Sequence, residues 1–257
     1  MSHETEYHDA MVTLLELVWG RGYMAPGGAG NVDRMVAGLD LRGQRVLDLG
    51  CGIGGPALHL AARHGARVVG IDIEEPLVAR ATRAAREQGL ADAVRFETVE
   101  PGPLAFPDAS FDLVFSSGAI TQIADKAGIF RECCRVLKPG GHLSCYDWMK
   151  SEGEYSPDML YFFEMEGLTY AMETLERHGE ILAAAGFVDI ELEDASDWYR
   201  RESRREYEAM RGALYPRIVE LLGEKDARHF VEDWRSMVVV CERGEMRQCY
   251  CRGRKPQ

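Results

Sequence analysis

The chain of 257 residues has no apolar run approaching the ~20 residues that cross a bilayer, so no membrane span is expected. It has no excess of positive charge either: 42 acidic residues stand against 30 lysines and arginines, a formal net charge of -12. Its average field repels phosphate backbones, which argues against a nucleic-acid partner. The basic residues that do gather, Arg200, Arg201, Arg204 and Arg205, alternate with Glu202, Glu206 and Glu208 and read as a solvated helix face. C-x2-C spacing is absent. The neighbours Cys133 and Cys134, and the pair Cys249 and Cys251, cannot easily converge on one tetrahedral ion, so no metal centre is expected. Seven cysteines, an odd number without a secretory leader, point to free thiols in a reducing, cytoplasmic setting, and the polar, acidic Met1–Ala10 resembles no common targeting peptide. His59, His64, His142, His178 and His229 fall at ordinary helix or strand positions and are assigned no chemistry.

What is present is ordinary for a globular domain: 46% hydrophobic and 28% charged residues, enough chain to bury a core without staples. Met11, Leu14, Leu15 and Val18 predict an amphipathic helix over Glu4–Trp19, followed by a glycine-rich loop and a helix leading into the core. Short apolar runs then alternate with amphipathic stretches. Strands are expected at Val46–Leu49, Arg67–Ile71, Val94–Val99 and Phe111–Phe115, with helices at Pro56–His64, Glu75–Gln88 and Asp125–Leu137. A turn at Lys138–Gly141 leads to a strand at His142–Tyr146. That alternation means βαβ units and a parallel sheet with helices on both faces. An aromatic and acidic stretch, Glu152–Thr174, precedes a helix ending at Gly186, a strand at Val188–Leu192, helices over Trp198–Leu222 and Glu224–Val239, and a last strand at Glu245–Cys251. The economical reading is one α/β domain: a lid segment over 1–43, a nucleotide-binding core over 44–150, and a second half, 151–257, with a helical cap near 197–240.

The segment V-L-D-L-G-C-G-I-G-G, Val46–Gly55, sits at a strand-to-helix turn, where Gly50, Gly52 and Gly54 let backbone approach a ligand closely. With Asp72 at the distance expected of a ribose acid, the glycines suit either a dinucleotide or S-adenosylmethionine. Asp48 breaks the tie, because a carboxylate just before the turn repels a pyrophosphate and attracts the α-amino group of a methionine moiety. Asp72 can accept from both ribose hydroxyls, and Glu100 is placed for the adenine amino group.

Four segments in order, V-L-D-L-G-C-G-I-G-G, G-I-D-I, F-P-D-A-S-F-D-L-V-F-S and R-V-L-K-P-G-G-H-L, resemble the successive motifs of class I S-adenosylmethionine-dependent methyltransferases over Arg45–Tyr146. The resemblance implies a Rossmann-like, seven-stranded, mostly parallel sheet with an antiparallel last strand and a helical cap. It implies S-adenosyl-L-methionine as cofactor, held by Asp48, Gly50, Gly52, Gly54, Asp72, Ile73, Glu100, Pro101, Ser117 and Tyr23. Outside the core, V-W-G-R-G-Y-M-A-P-G-G (Val18–Gly28), A-A-A-G-F (Ala183–Phe187) and W-R-S-M (Trp234–Met237) resemble the phosphoethanolamine N-methyltransferases and, more distantly, the sarcosine and dimethylglycine methyltransferases.

Carried over on these matches, Tyr23 falls on the family's tyrosine at the transferring methyl. The Asp and His that the family has after its fourth strand are replaced by Gly118 and Gln122. At the family's phosphate-binding positions a Tyr becomes Trp148, an Arg becomes Leu168 and a Lys becomes Met237, and the loss of the last two positive charges argues against a phosphorylated acceptor. Tyr23 and Gln122 are the expected catalytic residues, in a pocket with Trp148, Tyr170 and Glu164 or Glu166, whose aromatic faces and carboxylates suit an amine. The expected activity is methyl transfer to the nitrogen of a small, unphosphorylated amine by a monomer or homodimer. A thioether, thiol or hydroxyl acceptor, or a non-catalytic S-adenosylmethionine sensor, are the alternatives.

Overall fold

The computed structural model describes residues 9–257, so the part of the expected first helix before Asp9 lies outside the described residues. Strands β1 (Arg45–Leu49), β2 (Arg67–Asp72), β3 (Val94–Thr98), β4 (Phe111–Ser117), β5 (Leu137–Lys150), β6 (Val188–Asp194) and β7 (Met246–Arg254) form one sheet in the order β3-β2-β1-β4-β5-β7-β6. β7 runs antiparallel to both β5 and β6; the pairings from β3 through β5 are parallel. The expected turn at Lys138–Gly141 lies within β5, as a bulge: Phe111 pairs with Leu137 but Leu113 with His142. The extra residues are taken up where Gly140 adopts φ 77°, a conformation that glycine reaches without steric cost.

Alternate residues of the central strands go to opposite faces, which is why these strands read as continuous apolar runs. Leu47, Val69 and Val114 pack on one side with Phe130 and Cys133 of α5 (Lys126–Val136) and Leu182 of α7 (Leu175–Ala184). Val46, Val68 and Leu113 pack on the other with Val32 of α2 (Gly28–Met35), Leu60 of α3 (Gly55–His64) and Ala85 of α4 (Glu75–Glu87). Asp125 starts α5 by accepting the Gly128 amide at 2.8 Å, and Gly65 ends α3 in the left-handed region.

A third apolar cluster belongs to the cap. It joins Leu14 and Leu15 of α1 (Asp9–Trp19), Phe162 of α6 (Pro157–Glu166), Tyr199 of α8 (Ser196–Arg211), Ile218 of α9 (Tyr215–Leu222) and Trp234 of α10 (Glu224–Glu242). The single helix expected over Trp198–Leu222 is therefore two, because Gly212 (ψ -104°) stops the first and Pro216 starts the second. The arginine-rich face of α8 is neutralised by Glu202 within the helix, which pairs with Arg205, and by Glu242 of α10, which pairs with Arg204, but Glu206 departs from the expected solvated face and turns inward. All seven cysteines are unpaired. Among the described residues no helix is long and apolar enough to cross a membrane.

Candidate active site

The glycine turn after β1 is stitched to the turn after β2. Gly50 and Cys51 donate backbone N–H groups to the Ile71 carbonyl at 2.9 and 3.0 Å, and the Asp72 carboxylate accepts the Gly52 amide at 2.8 Å and the Glu74 amide at 3.0 Å. A Cβ on Gly50 would stand 2.2 Å from that of Ala119, so no other side chain fits. Asp48 lies under this turn, 1% exposed, with Oδ2 lacking any hydrogen-bond partner among the described residues. Burial, followed by the charge of Asp72, pushes its carboxyl up to about 7. A buried carboxylate oxygen in that state fits a cationic ligand group. Ile73 stands 57% exposed beside the turn, an open apolar surface for a base; Glu100 and Pro101 are exposed, and Ser117 is half-buried at the end of β4.

Next to the turn lies a cavity of about 50 Å³, closed by Met24 and Pro26 of the N-terminal loop, Thr121 and Gln122 after β4, Tyr146 to Trp148 of β5, Glu166, Leu168 and Tyr170 at and beyond the end of α6, and Gln248 of β7. The Met24 sulfur is 3.0 Å from where a Cβ on Gly52 would be, so one thioether separates cavity from cofactor turn. The hydroxyls of Thr121 and Tyr146 and both amide atoms of Gln248 are buried without partners among the described residues. Such groups are expensive to bury unsatisfied, and all three residues line the same cavity, as a polar ligand would require.

Acids dominate the site. Asp147 accepts the backbone N–H groups of Thr121 at 2.9 Å and Trp148 at 3.0 Å; burial pushes its carboxyl up to about 7, although Lys126 opposes the rise. Lys126 itself donates to the Ile120 and Ile123 carbonyls, both at 2.9 Å. Glu166 reaches the carboxyl of Asp233 on α10 and the hydroxyl of Tyr170. Among the described residues lining the cavity there is no lysine or arginine. Trp148 and Tyr170, ring centroids 5.6 Å apart, supply π faces for a cation.

The structure brings together Gln122, Trp148 and Tyr170 of the expected pocket, but not Tyr23 or Glu164. Tyr23 lines a separate groove with Gly22, His59 and Arg80, where burial and the charge of Asp33 push its phenol up to about 12. Met24, its neighbour in sequence, holds the place beside the cavity. Glu164 is exposed on α6; Glu166, two residues on, lies about 200° around the helix and faces inward. Of the three substituted phosphate-binding positions, Trp148 and Leu168 line the cavity, and Met237 is buried in the cap with the Tyr199 hydroxyl 3.1 Å from its sulfur. Asp233 could be read from the sequence only as shaping the lid or ending a helix, and sequence reasoning missed Asp147, Tyr146, Gln248 and the inward turn of Glu206; of these only Asp147 carried a signal, as the neighbour of Trp148 on a strand already placed. Among the described residues one group could offer three metal ligands, Asp33, His59 and His64, and it lies away from the cavity.

Comparison with known proteins agrees with this geometry. A methyltransferase-domain family model matches residues 47–145. The chain is 31% identical over 243 residues to phosphoethanolamine N-methyltransferase 3 of Arabidopsis thaliana, covering 94% of this chain and 49% of that protein. It is 33% identical over 207 residues to the 27-O-demethylrifamycin SV methyltransferase of Amycolatopsis mediterranei, covering 75% of this chain and 76% of the relative. A solved structure of Haemonchus contortus phosphoethanolamine N-methyltransferase 2, in complex with phosphomonomethylethanolamine and S-adenosylhomocysteine, superposes with a TM-score of 0.91 at 26% identity, covering 99% of this chain and 59% of that one. The sheet order, the glycine turn and these matches place the chain in the class I S-adenosylmethionine-dependent methyltransferases, whose cofactor is S-adenosylmethionine. The chain spans about half the length of the plant relatives it matches.

Proposed function

We propose that this methyltransferase acts on the nitrogen of a small, unphosphorylated amine. The observation that carries the reading is the charge balance of the cavity: Asp147 and Glu166 line it, Asp233 stands behind Glu166, and no lysine or arginine lines it among the described residues. A phosphate there would be buried among acids without a counter-charge, at a cost of several kcal/mol. An ammonium group supplies the positive charge that the walls lack. The relatives named for phosphoethanolamine point the other way, and the cavity wall is what sets this chain apart from that reading.

When bound, S-adenosylmethionine supplies a methyl group on a sulfonium sulfur that departs as a thioether with the electron pair of the broken bond. Asp48 would take the cofactor's α-amino group, Asp72 its ribose and Ile73 its base. Trp148 and Tyr170 bracket the acceptor, and Gln122 and Gln248 orient it. Since Tyr23 sits in the outer groove, positioning falls to these groups. Closure of the cavity by Met24 excludes water, so alignment and desolvation contribute most of the rate. A hydroxyl acceptor is the second reading, favoured by the relative named for a 27-O position.

The test is calorimetric binding of S-adenosylmethionine, followed by mass spectrometry of methyl transfer to a panel of amines, hydroxyl compounds and phosphoethanolamine. Transfer to an unphosphorylated amine is expected. Efficient methylation of phosphoethanolamine would overturn the reading.

A further inference from the structure

The contact between Glu166 and Asp233 places two carboxyl groups against each other behind the aromatic wall. Asp233 is 3% exposed, its Oδ1 has no partner among the described residues, and its hydrogen bond is to Glu166. Glu166 also accepts from Tyr170 and opens on the cavity. The titratable groups around the pair are Tyr170 beyond α6, His229 and Glu232 on α10, and Tyr199 and Glu206 on α8. Two carboxyl groups in contact, Asp233 buried and Glu166 half-buried at the cavity wall, disfavour double ionisation at neutral pH, so one proton lies between them. Burial raises both groups, and the neighbouring Glu166 charge raises Asp233 further. Asp233 is therefore the protonated member, donating to a Glu166 carboxylate that keeps one negative charge facing the cavity.

We propose that Glu166 and Asp233 form the proton-accepting pair of this site, in which Glu166 takes an N–H proton from an ammonium substrate while Asp233 holds Glu166 in place. This inference rests on the amine reading above. The N–H bond breaks with its electron pair on nitrogen, and an oxygen lone pair of Glu166 forms the new O–H bond. The pair passes from one negative charge to none, and the neutral amine gains the lone pair with which it attacks. The proton leaves to water with the product. Glu166 is the catalytic residue and Asp233 the positioning residue. Together they would do the work of a base that Gly118 and Gln122 cannot.

Glu166→Gln and Asp233→Asn, each nearly isosteric, test the pair on two readouts. In the ligand-free protein, infrared difference spectra should show at neutral pH a protonated-carboxyl band that is present in the wild type and lost in Asp233→Asn. With the best amine of the panel, Glu166→Gln should lower kcat/KM at neutral pH by about 100-fold or more, with S-adenosylmethionine affinity unchanged. That loss should vanish above the amine's own pKa, where the substrate arrives unprotonated. Asp233→Asn should shift the acid limb of the pH profile with a smaller loss. A loss of equal size at every pH, or wild-type and variant spectra that coincide, overturns the pair while leaving the amine reading standing. Methylation of no amine by the wild type overturns both.

Discussion

Trp19 on α1 donates its indole N–H to the carboxylate of Glu206 on α8 at 2.8 Å, across 187 positions of sequence. The other oxygen of Glu206 accepts from Trp234 at 3.2 Å, so one buried acid ties the first helix to the cap while Trp19 forms part of the cavity wall. Burial pushes this carboxyl up to about 7. Trp19→Phe should lower stability by about 1–3 kcal/mol, measured by denaturant unfolding. Because the indole stabilises the ionised form, the loss should grow as pH rises through neutrality; a loss independent of pH would show that Glu206 stays neutral.

Asp48→Asn should separate cofactor affinity from stability. Removing the charge proposed to meet the cofactor's α-amino group should weaken S-adenosylmethionine binding by about 10–100-fold, the worth of one charge-assisted hydrogen bond. The ligand-free fold should become more stable above neutrality, where wild-type Asp48 is ionised without a partner. Calorimetry and thermal unfolding read the two effects independently.

The same logic governs the wild type across pH. Asp48 and Asp147 are raised from 3.8 to about 7, and Glu206 from 4.5 to about 7. An acid raised in the folded state contributes stability that is complete below its unfolded pKa and lost as pH climbs through the folded one. Buried His178, lowered from 6.5 to about 4, gives the opposite slope between those two values, so ligand-free protein should lose stability most clearly above 6.5, and saturating S-adenosylmethionine should flatten the part of the slope due to Asp48. Thermal unfolding in a pH series, with and without cofactor, measures it; stability that rises above pH 6.5, where His178 no longer titrates, would contradict the burial of these acids.

Gly55→Ala acts on the loop above the turn. Its amide donates to the Gly22 carbonyl at 3.0 Å, and an added Cβ would stand 2.1 Å from that oxygen. The substitution should push Gly22–Met24 outward, open the cavity to water and speed tryptic cleavage at Arg21, with turnover reduced. Unchanged cleavage and turnover would show that the loop is held by other contacts.

For Tyr23, the sequence match and the structure lead to different expectations. Tyr23→Phe should leave turnover nearly unchanged, whereas Gln122→Ala, which removes a group from the cavity wall, should lower kcat/KM by about 10-fold. A large loss in Tyr23→Phe would mean that the loop rotates Tyr23 inward during the reaction.

The core was legible because a parallel strand buried on both faces has no choice but to be apolar, and Val46–Leu49, Arg67–Ile71 and Phe111–Phe115 announce themselves in that way. The glycine turn was legible for the opposite reason: only a missing Cβ permits Gly50 beside Ala119. The cap was harder. Glu164 and Glu166 are equivalent in composition, and choosing between them needs the phase of α6, which the sequence leaves open by a residue or two at each end. Gly212 and Pro216 interrupt an amphipathic pattern that continues on both sides, so two helices read as one. Asp233 met Glu166 only through the crossing of α10 over α6, and Tyr23 and Met24 exchanged places because a loop carries no periodicity to say which neighbour faces in.

Trp19, Trp148 and Tyr170 of the cavity wall pack against the apolar cluster of the cap, whereas Tyr146 belongs to a cluster that clamps the sheet. Most of the aromatic wall is thus packed apart from the glycine turn after β1. A substitution at Leu168, which lines the cavity and joins neither sheet cluster, should change the cavity wall without loosening β1 or its glycine turn. A chain built this way can change its cavity wall by single steps while its glycine turn stays folded.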